Sequence, residues 1–186
     1  SYTKSGFNTS ANSVFFKGEE NGSVNYAYKS GNGIDHAMPV LISQDMLFNA
    51  LPVGNGSYKS DLQGNGYYGW ITDGYNTGNG TAGTVVFHSV YRPDANTNEL
   101  VLRMRKTGGY QDFSLGEKLG VTFRLSYIWN PDNTLLVFVD GQYLGTVENV
   151  GYFASGCGDD CITYRYYSAA SANEVDITVS NVVMTK

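Results

Sequence analysis

The side chains best suited to proton transfer or charge stabilisation in this chain are two histidines, a tyrosine-rich run and two arginines spaced two residues apart. His88, in Val86-Phe87-His88, carries an imidazole that can take or give a proton near neutrality. It also shares a strand face with Val86 and Val90, so a half-buried histidine in the core is the competing reading. His36, between Asp35 and Ala37, belongs to no matched pattern and reads as a loop residue. Arg103 and Arg105 alternate with Leu102 and Met104, which makes them a solvated strand face or the cationic wall of a groove. Tyr164-Arg165-Tyr166-Tyr167 offers hydroxyl donors, a stacking platform for sugars, or strand packing. Trp70, with Tyr67, Tyr68 and Tyr75, sits among glycines in a loop-like stretch, where rings can stack on sugar C–H faces or pack against the body of the domain.

Carboxylates and cysteines are less suggestive. Glu174 and Asp176 lie on one strand face, as in laminarinase-type retaining glycosidases, whose working pair is about 5 to 5.5 Å apart. A third acid is needed two or three residues on, and Thr178 and Val179 stand there. The stretch Asp94-Ala-Asn96-Thr-Asn98 begins like a calcium loop, but Glu99 replaces the turn glycine and Arg105 falls where the bidentate glutamate belongs. Cys157 and Cys161 flank Gly-Asp-Asp, a spacing that suits a local disulfide and is too sparse for a zinc site. Asn-x-Ser/Thr sequons begin at Asn8, Asn21, Asn55 and Asn79 in turn-like surroundings, as expected of a secreted glycoprotein.

The elements that must position these groups read as strands. Strict apolar/polar alternation recurs along the chain, and the 3.6-residue period hardly appears. In 100–106, Leu100, Leu102 and Met104 share one face, and Val101, Arg103 and Arg105 the other. The run 121–129 alternates likewise, stops at Asn130-Pro-Asp-Asn133 and resumes over 134–139, which predicts a hairpin. Asp140-Gly141 supplies a two-residue turn before Gln142 to Gly145. The run 174–183 turns Val175, Ile177 and Val179 inward and is long enough to return to a sheet centre or edge. No linker, charge block or internal repeat divides residues 1–186, so a single two-sheet antiparallel β-sandwich or a barrel is expected; a curved sandwich would leave a concave outer face for a polymer.

Composition narrows the partners. With 12 Lys and Arg against 17 Asp and Glu, the net charge is −5 and the pI about 4.9. No cationic excess exists to neutralise nucleic acid or an anionic bilayer. No apolar stretch is long enough to span a membrane as a helix, and no basic-then-apolar leader opens the chain. The 23 Gly, 15 Tyr and 9 Phe beside 4 Pro suit many tight turns joining aromatic-rich strands.

Several segments resemble a known family. The stretch 122–147, with its strand, turn and Val-Phe-Val-Asp-Gly order, resembles the concanavalin A-like jelly rolls of lectins and glucanases. Tyr58-Lys59-Ser60-Asp61-Leu62-Gln63 resembles the Arg-Ser-Glu-Leu-Arg strand of the alginate-lyase family of polysaccharide lyases. Val86-Phe87-His88 stands where that family has Gln-Ile-His, followed at a fitting interval by 100–105 and 115–118. Tyr152-Phe153-Ala154-Ser155-Gly156 resembles the start of its Tyr-Phe-Lys-Ala-Gly-x-Tyr strand. The likeness runs over 57–184 with departures: Val86 replaces the glutamine, Lys59 and Gln63 replace the arginines, and the catalytic tyrosine falls at Gly158. If 157–161 is an insertion, Tyr164 or Tyr166 takes that place, with Tyr166 preferred.

The resemblance implies a jelly-roll β-sandwich with a concave polysaccharide-binding face and β-elimination on a uronate chain. Such a reaction needs a donor on the C6 carboxylate, a base for the C5 proton and an acid for the leaving oxygen. His88 is the expected base or charge neutraliser and Tyr166 the acid. Lys59, Gln63, Arg103, Arg105, Tyr164 and Trp70 are expected to bind substrate. No cofactor is required, and a structural calcium ion is compatible with such jelly rolls. The alternatives are a secreted lectin or carbohydrate-binding module using the same groove without chemistry, which the lost Gln and Arg positions favour, and a protein-interaction domain of laminin G type. A polysaccharide partner, no nucleic acid and no membrane complete the expectation.

Overall fold

The computed structural model describes residues 4–8, 13–19, 23–29, 38–54, 61–68, 84–150, 160–167 and 174–185. Within them are thirteen strands and no helix. They are β1 (Lys4–Asn8), β2 (Ser13–Glu19), β3 (Ser23–Lys29), β4 (Val40–Ala50), β5 (Asp61–Tyr68), β6 (Thr84–Tyr91), β7 (Glu99–Lys106), β8 (Gly109–Glu117), β9 (Phe123–Trp129), β10 (Leu135–Val139), β11 (Gln142–Val147), β12 (Asp160–Tyr167) and β13 (Glu174–Thr185). They form two sheets of seven and six strands, ordered β1-β2-β13-β4-β9-β10-β11 and β3-β12-β5-β6-β7-β8. All strand pairings are antiparallel, as the alternating patterns require.

The expected hairpins are present with small boundary changes. Strand β10 begins at Leu135, because Thr134 is held back: Asp132 Oδ1 accepts its amide at 3.1 Å and its hydroxyl at 2.7 Å. Asp140 has φ 50° and Gly141 φ 79°, the left-handed geometry that a two-residue turn between β10 and β11 demands, and Asn133, in the turn between β9 and β10, has φ 66°. Strand β13 lies inside its sheet, between β2 and β4, with Val175, Ile177 and Val179 buried.

The core is the space between the sheets. Phe16, Met46, Phe48, Leu125, Tyr127 and Trp129 fill it from the seven-stranded side, and Val90, Leu100, Leu102, Met104 and Tyr164 from the other. Fully burying an apolar side chain contributes about 1.5–3 kcal/mol, whereas an exposed ion pair such as Lys118–Asp140, at 2.7 Å, contributes about 0–1 kcal/mol. The inward rows therefore dominate stability. At one side the sheets are stitched edge to edge: Gln111 Nε2 on β8 donates to the Thr146 carbonyl on β11 at 3.2 Å, and the Thr107 amide donates to the Asn149 carbonyl at 2.7 Å.

Candidate functional site

Pairing register decides which side chains share a face, because cross-strand partners point the same way. Ser89 on β6 stands opposite Arg103 on β7, and Arg103 opposite Asp112 on β8. In backbone register the same row runs on through Gln63 and Arg165 to Asn25. Ser89, Arg103 and Asp112 belong to the outer side of the six-stranded sheet, since Leu102 and Met104, on either side of Arg103, are sealed in the core.

On that outer side the guanidinium of Arg103 forms a two-pronged pair with Asp112. Nε donates to Oδ1 at 2.8 Å and Nη2 to Oδ2 at 2.7 Å. The guanidinium carbon lies 5.5 Å from the ring centre of Tyr91 and 5.3 Å from that of Tyr110. Tyr91 is buried at the floor, and its hydroxyl donates to Asp112 Oδ2 over a long 3.4 Å. Burial raises the pKa of that hydroxyl, and the Asp112 carboxylate adds to the rise against the opposing Arg103. Tyr110 is 39% exposed at the rim. Burial raises its hydroxyl pKa too. Alongside, Ser114 Oγ donates to the Glu99 carboxylate at 2.6 Å. Arg105 lies 6.0 Å from the Tyr110 ring, and its Nη1 is buried with no hydrogen-bond partner among the described residues. The result is a polar floor with paired donors and acceptors between two aromatic rings.

The expected base and acid do not join this face. His88 stands opposite Met104, not opposite an arginine, and is 3% exposed. Its ring centre is 5.5 Å from that of the buried Tyr127, tilted by 43°. Burial pulls its pKa down to about 3, so the imidazole is neutral and sealed from any ligand on the outer side. Its Nε2 has no hydrogen-bond partner among the described residues. Tyr166 is 3% exposed, with its ring centre 6.4 Å from that of Phe16 in the core. Tyr164 is fully buried and donates its hydroxyl to Gln44 Oε1 at 2.7 Å, while Gln44 Nε2 donates to the Leu125 carbonyl at 3.0 Å. His88 as base, Tyr166 as acid and Tyr164 as a substrate contact are therefore corrected: the strand period of two turns all three inward, away from Arg103 and Arg105.

Of the other expected contacts, Lys59, Trp70 and Cys157 lie outside the described residues, and for Gln63 and Cys161 only the backbone position on β5 and β12 is described. Asp176 lies on the seven-stranded sheet, 3.5 Å from Lys17 Nζ, away from the polar row. The stretch 94–98 is a side-chain-capped turn, with Asp94 Oδ1 accepting the Asn96 amide at 2.8 Å. Among the described residues no group of three or more His, Cys, Asp and Glu could hold a metal ion. Sequence reasoning passed over Tyr91, Tyr110 and Asp112. Their signal was Gly108-Gly109, a turn that folds β8 back on β7 and sets Asp112 beside Arg103.

No family model matches the sequence, and no curated protein matches it. Solved structures do. A sialidase superposes with a TM-score of 0.62 at 12% identity over 94% of this chain, which spans 15% of the length of that enzyme. The family 7 alginate lyase A1-II′ in complex with substrate gives 0.60 at 14% identity, over 99% of this chain and 82% of the lyase. The potassium-bound carbohydrate recognition domain of Emp46p gives 0.58 at 14% identity, over 97% of this chain and 87% of that domain. The fold is a concanavalin A-like jelly roll. Within it, the outer side of the six-stranded sheet carries the polar row, and the opposite outer side carries Ile128, Leu136, Phe138 and the 58% exposed Tyr143.

Proposed function

We propose that this jelly roll is a carbohydrate-binding domain of lectin type that holds a glycan on the outer side of its six-stranded sheet and performs no β-elimination. The observation that carries the proposal is the Arg103–Asp112 pair set between Tyr91 and Tyr110. Sugar hydroxyls donate and accept at once, so they match a surface where carboxylate acceptors and guanidinium donors lie side by side. The C–H faces of a pyranose pack on an exposed ring such as Tyr110. Similar folds named as a carbohydrate recognition domain and as a lyase in complex with substrate support a glycan partner. The core position of His88 and Tyr166 argues against the lyase reading, because neither group reaches a polymer on the outer side.

The test is a glycan array and calorimetric titration of the intact chain, beside an ultraviolet assay for unsaturated products on alginate and glucuronan. Binding without product is expected. Tyr110→Ala is expected to weaken binding about tenfold, the loss of one stacking contact worth about 1.4 kcal/mol. Tyr143→Ala, on the other sheet, is expected to leave it unchanged. Turnover on either polymer, or loss of binding in Tyr143→Ala alone, would overturn the proposal.

A further inference from the structure

Resting on that reading, we infer that the glycan is neutral and rich in hydroxyl groups, and that the β7–β8 end of the face discriminates against uronates. The more exposed partner of the central ion pair is the anion: the Asp112 side chain is 39% exposed and that of Arg103 20%. Arg103 spends both Nε and Nη2 on Asp112. Glu99 adds a second carboxylate to the same side, held by Ser114 at 2.6 Å. The Tyr91 hydroxyl at the floor has its pKa raised, first by burial and then by the Asp112 carboxylate, against the opposing Arg103. Arg105 is turned toward Tyr110 with its Nη1 sealed from solvent, so that nitrogen is not displayed to a ligand carboxylate.

A ligand approaching here therefore meets acceptors before donors. Asp112 Oδ2 already accepts from both Arg103 and Tyr91, but Oδ1 has a second lone pair beyond the one used by Arg103, and a sugar hydroxyl can donate to it. A uronate carboxylate has no proton to donate at neutral pH and is placed against like charge.

The experiment titrates the intact chain with neutral oligosaccharides of β-glucan, mannan and galactan, and with oligomannuronate, oligoguluronate and oligoglucuronate of matched length, at low and high salt. The best neutral ligand is expected to bind at least about fivefold more tightly than any uronate at low salt, with the ratio shrinking as salt screens the repulsion. Asp112→Asn, which keeps size but exchanges one acceptor oxygen for an NH2 donor and removes the charge that holds Arg103, is expected to narrow or invert that ratio; Glu99→Gln should narrow it in the same direction. Uronates that bind the unaltered chain as tightly as neutral sugars would overturn the inference and leave the carbohydrate-binding reading standing. An unchanged ratio in both variants, folded by circular dichroism, would also overturn it. No binding to any glycan would overturn both.

Discussion

A histidine sealed between two sheets titrates against the fold. The folded pKa of His88 is about 3, against 6.5 for the free side chain. Between these values the unfolded chain binds a proton there that the folded chain does not, so stability falls as pH drops from 6.5 toward 3, by about 1.4 kcal/mol per pH unit. Above 6.5 the imidazole is neutral in both states and its contribution is flat. Asp132 and Asp140 act lower down. The Thr134 hydroxyl lowers the pKa of Asp132; for Asp140, burial pushes the pKa up, but hydrogen bonds from Lys118 and the Arg124 amide bring it below the ordinary 3.8. Their stabilisation, present above 3.8, is lost only as pH falls through their lowered folded values. His88→Gln is therefore expected to flatten the slope between roughly pH 6 and pH 4 in urea unfolding. Parallel slopes in the two proteins would show that His88 is not sealed.

At the scale of strands, two glycines near β11 separate turn geometry from packing. Gly141 sits at φ 79° with open space where a Cβ would go, so Gly141→Ala costs only the conformational penalty, about 1 kcal/mol. At Gly145 a Cβ would lie 2.9 Å from Phe113 Cε1, so Gly145→Ala must push the Phe113 ring on β8 aside, at about 1–3 kcal/mol. Strand β8 carries Tyr110 and Asp112, so this second variant is also expected to weaken glycan binding, while Gly141→Ala leaves binding intact. Thermal unfolding paired with titration checks both, and equal effects on binding would break the link between the seam and the site.

Across the whole molecule the two sheets are joined mainly by apolar burial, with a polar tie at the centre. Tyr164 reaches from β12 to Gln44 on β4 at 2.7 Å. Tyr164→Phe leaves the Gln44 oxygen buried without that donor and is expected to cost about 1–3 kcal/mol. Tyr143→Phe, which removes an exposed contact to Thr146, is expected to change stability by less than about 0.5 kcal/mol. Urea midpoints compare the two, and a Tyr164→Phe protein as stable as the unaltered chain would remove the tie from the account. The tie also explains why a tyrosine suited to a sugar-contacting role belongs to the interior: its hydroxyl is already satisfied across the sandwich.

Alternation along single strands was legible in the residues themselves, because a side chain's face depends only on its parity within a strand. That was enough for the all-β class, for the hairpins around 130–133 and 140–141, for the burial of Leu100, Leu102 and Met104, and for the pairing of His88 with the face of Val90. It could not say which face of one strand meets which face of another. Register is set by hydrogen bonding between segments far apart in the chain, and a slip of one residue reverses every side chain. Only the folded sheets put Ser89 opposite Arg103 and His88 opposite Met104, closed Arg103 onto Asp112, and sent the imidazole and the Tyr166 ring inward. Chemical type was written in the chain; the side of the sandwich on which each group stands was decided by contacts between residues that are neighbours only after folding.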